Sequence, residues 1–450
     1  MASNRISPLV VLWAIALLWS LNHNILVTGD VWLGLLHISS VLSAFILLFF
    51  PSSRRALYGA VVTFAIYIAW CFPVVPNHRV LLLLSGATLV ISTRSFTHER
   101  RAITTLRYLC IVVYCFAFFA KLNTAYLNNT ISCASKFFQQ SIELHGLATT
   151  LWQENPFNTL STPGVWSAIS EIAIVLLLMW SPTRRYGVLF GLAFHCLLAT
   201  NYLKYFANFS STLFVLLCAW LDTASLKRLY REKLAYWYPA FLSGALLLYG
   251  LLICCSIQVL SPLHFSIIRY LLWTLFAVYI LWAVFKSSNR IQHKLQTAGR
   301  LPLPFVLMLL PPLILGVSPY LGIRNRNSFS MYSNLQVEPT YSNHLVISKG
   351  LDVTGLQSDV ATILSVRADS KSDENILLPG SYPYLTICSF LSQMDMAHPT
   401  GSIEITFVRN QQNFTFRRGE SIPSDCPPWI LRKLLLFGRV GDGAERSCVW

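Results

Sequence analysis

Charge is what this chain has least of, and acidic charge least of all. Only 12% of its 450 residues are Asp, Glu, Lys or Arg, and 19 acidic residues stand against 34 basic ones. Soluble domains carry about twice that share of charge, so an ordinary soluble enzyme is excluded. No Cys-x-x-Cys pair occurs among the 11 cysteines, which removes the usual zinc spacings. Internal repeats and low-complexity segments are missing, which excludes a solenoid, a propeller or a long disordered linker. Paired half-helices broken by Gly or Pro are missing as well, and with them the main sequence pointer to a secondary transporter. The first apolar run has no small-residue cleavage site behind it and reads as a retained helix rather than a removed signal peptide.

What fills the space is apolar residues, 54% of the chain. They come in repeated runs of roughly 16–23 residues between short polar loops, the pattern of membrane-crossing helices. Eleven spans are expected, near 6–27, 31–50, 57–74, 79–93, 104–126, 166–180, 186–203, 205–221, 238–260, 265–285 and 303–322. The predicted fold class is an α-helical polytopic membrane protein, residues 1–322, followed by a small extramembrane α+β domain, residues 323–450.

The net charge of +15 resembles a nucleic-acid signal until it is divided along the chain. Residues 1–322 hold 22 Lys and Arg against 7 Asp and Glu, while residues 323–450 hold 12 of each. The whole excess lies between membrane spans, where it reports topology, so no nucleic-acid partner is expected. Alternate loops from Arg5 and Arg54-Arg55 to Lys286, Arg290, Lys294 and Arg300 collect 17 cations. The opposite side before residue 323 has Arg79, Lys121, Lys136, Lys204 and Arg269. Positive-inside logic puts the N-terminus in the cytoplasm, and an odd span count puts residues 323–450 outside, periplasmic or lumenal. Cys133, Cys388, Cys426 and Cys448 then share the outer side, where they either stay reduced or form two disulfides in one of three pairings.

Secondary-structure signals outside the spans are few. The outer loop 127–165 carries a helical stretch from Lys136 to Trp152, suited to a helix on the membrane surface or to an ordinary packed one. Beyond Pro319, His344–Ile347 and Val360–Val366 read as strands. Ser402–Val408 and Phe414–Phe416 read as a hairpin around Asn410–Asn413, and Pro427–Phe437 reads as a short amphipathic helix.

Threading the spans in alternate directions brings costly residues to one depth. Lys121 ends span 5, while Glu171 and His195 lie one to two turns below the outer surface on spans 6 and 7. Asn77 and His78 open span 4, and Asn123 follows the lysine directly. An unpaired carboxylate at such depth costs on the order of 2–4 kcal/mol, so Glu171 is expected to face the bundle interior, with Lys121 its natural partner. Two readings of Lys121 follow. It snorkels to headgroups from a span end, or it serves as a base in a polar chamber, where apolar surroundings bring an amine toward general-base work. For His78, Glu171 and His195 the competing reading is plain helix-to-helix hydrogen bonding.

Lys121-Leu122-Asn123-Thr124-Ala125-Tyr126-Leu127 resembles the Lys-Leu-Asp/Asn-x-x-aromatic-aliphatic signature of the horizontally transferred transmembrane (HTTM) family, which includes the vitamin K-dependent gamma-glutamyl carboxylases. Phe194-His195-Cys196 and Phe206–Ser210 are similar to its second signature, so the signatures fall within residues 70–222. Asn77-His78, 43 residues before the lysine, resembles the Asn-His of the carboxylase. Asn327–Leu335, Asn343-His344-Leu345 and Cys448-Val449-Trp450 look like segments of bacterial HTTM-type proteins.

The resemblance implies a quinol-oxygenating, carboxylase-like lyase or epoxidase. Lys121 would deprotonate vitamin K hydroquinone and His78 would assist, with Glu171, His195, Asn123 and Asn77 in support. Oxygen and the quinol anion then give a strong base that takes a glutamyl γ-proton, and carbon dioxide traps the carbanion. The cofactor would be a reduced quinone, with no metal. The partners would be the lipid bilayer, a lipophilic quinol and a peptide or small-molecule carboxylate. Ser330-Met331-Tyr332-Ser333 replaces a Met-Met-x-His segment of the carboxylase, and the outer domain is much smaller, which points away from a propeptide-bound protein substrate. From a different class comes the alternative of a non-catalytic membrane scaffold or lipid-binding protein with a partner-binding outer domain.

Overall fold

The computed structural model describes residues 7–21, 31–93, 95–145, 162–201, 206–222, 225–226, 262–286, 300–330, 332–368, 379–392, 403–440 and 448. In chain order its N-terminal helices are α1 (Ser7–Leu21), α2 (Val31–Phe49), α3 (Arg54–Cys71), α4 (Asn77–Ser92), α5 (Phe96–Lys121), α6 (Thr124–Leu127) and α7 (Cys133–Leu144). Then follow α8 (Pro163–Met179), α9 (Arg184–Leu198), α10 (Phe206–Cys218), α11 (Pro262–Lys286), α12 (Leu303–Leu307) and α13 (Leu310–Val317). The C-terminal part carries β1 (Val360–Ala368), β2 (Gly380–Pro383), α14 (Tyr384–Leu391), β3 (Ile403–Arg409), β4 (Gln412–Arg417) and α15 (Trp429–Leu434).

α1 is apolar on every side, the pattern of a fully enclosed helix, and Leu9, Trp13, Leu17 and Leu21 are all completely buried. It packs against α2, α4 and α10. The Trp13 indole donates to the Leu82 carbonyl at 2.8 Å. Gly86 makes room for that ring, since a Cβ there would stand 2.5 Å from it.

Among the described residues, two helices are long and apolar enough to cross a membrane, Trp32–Phe49 and Thr97–Lys121. Pro163–Met179 and Ser181–Leu198, bent by 114° at their junction, make a third if the pair is one span. The chain is membrane-associated on this ground. Among the described residues, Pro8–Leu21, Asn77–Ser92, Phe206–Cys218, Tyr270–Lys286 and Leu303–Val317 are shorter apolar stretches of 10–17 residues, so the expected eleven crossings are not confirmed, and the expected span at 238–260 lies outside the described residues. The expected span 303–322 is two short helices, α12 and α13. Pro311 and Pro312 explain the break: lacking N–H donors, they fit the first turn of a new helix and cannot continue an old one.

The small sheet has the order β2-β1-β3-β4 with every neighbour antiparallel. β3 alternates as expected for a half-buried strand, with Ile403, Ile405 and Phe407 turned into the core. Asn410 and Gln411 take positive φ (50° and 63°), which makes the β3–β4 connection a tight two-residue turn. The expected strand His344–Ile347 does not form. His344 makes only an isolated bridge to Asn123, because the Val346 and Ile347 N–H groups fold back onto its own ring. The surface helix ends at Leu144, and Trp152, expected within it, lies outside the described residues.

Both disulfides form, as Cys133–Cys448 and Cys388–Cys426. The first closes 315 residues of sequence and ties the C-terminal end to α7. Cys448→Ser is expected to lower stability by about 2–4 kcal/mol, with no further loss in the Cys133→Ser/Cys448→Ser double variant. Unfolding midpoints with and without reductant check this; a midpoint insensitive to both would show the bond is absent.

Candidate active site

The lysine motif is a helix stop followed by an immediate restart. α5 begins on Ser95, whose side chain accepts from the His98 N–H, and ends on Lys121, a cation in the last turn where the helix dipole favours one. Asn123 then caps the next turn, its Oδ1 accepting from the Tyr126 N–H at 2.8 Å. Its Nδ2 donates to the Ala120 carbonyl at 2.8 Å and to the Ser333 carbonyl at 2.7 Å. Asn123 is thus fully occupied in holding the backbone, which fixes where the Lys121 side chain starts.

Glu171 arrives from α8. Thr162 caps that helix through Val165 N–H (3.2 Å), and Pro163 occupies its first turn. Gly164 brings the helix against α6 so closely that a Cβ would lie 2.3 Å from the Tyr126 carbonyl. Two turns further on, the Glu171 carboxylate meets Lys121 Nζ in a buried ion pair. The ammonium also stands 5.7 Å from the centre of the Tyr126 ring. Glu171 Oε2 has no partner among the described residues.

The pair lines a cavity of about 680 Å³ between α5, α7, α8, α9 and the start of α10. Its walls are chiefly apolar, with Phe137, Phe194, Phe206, Phe209 and Phe329 prominent, and Asn77, Ser170 and Tyr126 add polar groups beside the ion pair. Of the residues expected at the site, Lys121, Glu171 and Asn77 line this cavity. His78, His195 and Asn123 do not. His78 is buried with neither ring nitrogen bonded among the described residues, while its neighbour Asn77 donates to the Ser328 carbonyl. His195 lies behind Phe194, its Nε2 at 2.7 Å from the Tyr114 hydroxyl, and its carbonyl accepts from Ser210 at 3.3 Å. Tyr114 was not anticipated, although its place seven residues before Lys121 puts it on the same face of α5.

Residues 327–330 and 332–345 lie as a strap across this region. Asn334 Oδ1 accepts from Cys133 N–H at 2.8 Å, and Asn343 donates to the Asn334 carbonyl at 2.9 Å. Asn327 and Asn334 take positive φ (51° and 55°), which Asn tolerates better than most residues. His344 closes the strap on α5. Its Nε2–H donates to the Phe119 carbonyl at 2.9 Å, and Nδ1 accepts from both Val346 and Ile347 N–H at 3.1 Å. Burial lowers the His344 pKa below the usual 6.5, opposed in part by the Phe119 bond. Because the folded value is depressed, its contribution is complete above about pH 6.5 and is lost as pH falls through the folded value. The unfolding midpoint is expected to drop between pH 7.5 and 5, and to drop less in His344→Ala. Parallel profiles for the two proteins would refute this.

Among the described residues no group of three or more His, Cys, Asp or Glu side chains is placed to hold a metal ion. Comparison with protein families, with curated proteins and with solved structures gives no match.

Proposed function

We propose that this protein is an HTTM-type membrane enzyme that uses Lys121 as a base on a lipophilic quinol, in the manner of the vitamin K-dependent carboxylases. The observation that carries the reading is the buried Lys121–Glu171 pair at the wall of a largely apolar cavity. Its volume lies within the roughly 300–1,000 Å³ of small-molecule sites, and a wall of aromatic rings beside a few polar groups suits a ring with an apolar tail. Glu171 can take the ammonium proton across their hydrogen bond, which leaves Lys121 a neutral amine facing the cavity. Lys121 then removes a hydroxyl proton, and the strap over α5 and α6 holds that amine in place while the apolar walls exclude water. Asn77 and the second oxygen of Glu171 remain as acceptors for a ligand hydroxyl. A bound reduced quinone would supply the reaction with oxygen. His195 and Tyr114 hold α5 and α9 together, and His78 is a supporting group off the cavity wall.

In the same proposal the N-terminus is cytoplasmic, residues 323–450 are extracytoplasmic, and eleven spans connect them. The loop charge asymmetry supports this orientation. The acceptor of any carboxylation is a peptide or a small carboxylate.

The test is to supply purified protein in nanodiscs with vitamin K hydroquinone, oxygen and labelled bicarbonate, following epoxide and fixed label separately. Epoxide without fixed label is the expected result when no carboxylate acceptor is added. His78→Ala is expected to lower epoxide formation by less than Lys121→Ala does, since His78 lies off the cavity wall. A second reading, a non-catalytic lipid-binding protein, is favoured by the complete structural employment of Asn123. It predicts retained lipid in the cavity and no epoxide.

A further inference from the structure

Three separate segments of the C-terminal domain are fastened to the ends of membrane-side helices, and all three expose apolar side chains there. Leu345 N–H donates to the Leu122 carbonyl at 2.9 Å, just past the end of α5, and Leu345 and Val346 are each more than half exposed. Leu351 and Val353 donate to the Tyr320 and Leu321 carbonyls beyond α13, at 2.9 and 3.3 Å, and are exposed to the same degree. On α15, Lys433 Nζ donates to the Phe72 carbonyl at 2.8 Å, just beyond α3, while Trp429, Ile430 and Leu434 stay more than half exposed.

Apolar side chains scattered singly over a surface need no explanation, but these gather at one end of the helices. That end is where α5, a helix long enough to cross a membrane, terminates. The exposed surface also continues onto the bundle, where Trp70 and Val74 flank the carbonyls that Lys433 holds. On α15, Lys433 is committed to the Trp70 and Phe72 carbonyls and the Arg432 Nε and Nη1 atoms are buried, so it is the apolar Trp429, Ile430 and Leu434 that the helix leaves exposed.

We infer that the C-terminal domain rests on the chain's own bilayer, with α15 an interfacial helix and residues 345–353 set among the headgroups. The lipid surface covers this rim, and the span ends set its depth. The inference does not depend on the catalytic reading.

The full-length protein in nanodiscs tests it, with an environment-sensitive fluorophore placed on Ile430→Cys, on Val346→Cys or, as control, on Gln411→Cys in the exposed polar β3–β4 turn. Lipids carrying a nitroxide close to the headgroup are compared with unlabelled lipids. Several-fold stronger quenching at 430 and 346 than at 411 is expected, with blue-shifted emission at both. Quenching equal at all three positions would overturn the inference. So would emission at 430 and 346 that follows protein concentration and not lipid, which would assign the rim to a second copy of the chain.

Discussion

Glu171→Ala is expected to destabilise the protein by about 3–5 kcal/mol, because it leaves the Lys121 ammonium buried without its counter-charge. The two side chains are only 7% and 10% exposed, so little water is available to replace the lost partner. Removing both charges is a different experiment. Lys121→Met/Glu171→Met is expected to recover most of the loss, since a buried ion pair contributes little net stability over well-packed apolar residues. Thermal unfolding midpoints of the three proteins in one detergent decide the matter. Equal midpoints for wild type and Glu171→Ala would mean that no ammonium is held against that carboxylate.

The second large effect concerns turnover. Lys121→Ala is expected to lower quinol oxidation by about 10²–10⁴-fold, the usual contribution of a positioned base. Lys121→Arg should not rescue it, because a guanidinium stays protonated and cannot accept the proton. The two variants separate chemistry from charge: a lysine needed only to neutralise Glu171 would be replaced well by arginine. Recovery of most of the epoxide rate in Lys121→Arg would assign Lys121 to structure.

How much was legible in advance differs between the parts. Apolar runs located most helices of the bundle, because burial on all sides leaves a compositional mark that survives without tertiary information. Their ends were harder to place. The stop at Lys121 and restart at Thr124 depend on Asn123 bonding to Ser333, more than two hundred residues away, and no local pattern encodes that partner. The division between α12 and α13 was visible in Pro311 and Pro312, but the apolar signal around them masked it.

For the site, shared depth was enough to suggest Lys121 with Glu171, since two opposite charges in an apolar bundle have few other ways to be accommodated. Depth does not specify rotation about a helix axis. His195 and His78 therefore turned out to lie off the cavity, and Tyr114 went unnoticed. The cysteine pairing was open because Cys133 and Cys448 stand 315 residues apart, and no local pattern encodes a partner at that separation.

Epoxide formation from vitamin K hydroquinone by wild type and by Lys121→Met/Glu171→Met, measured side by side in nanodiscs, tests the catalytic role of the lysine most directly. The double variant is expected to keep the fold while removing the base. Epoxide from wild type alone is the expected result. Equal epoxide from both proteins, or none from wild type, would contradict it.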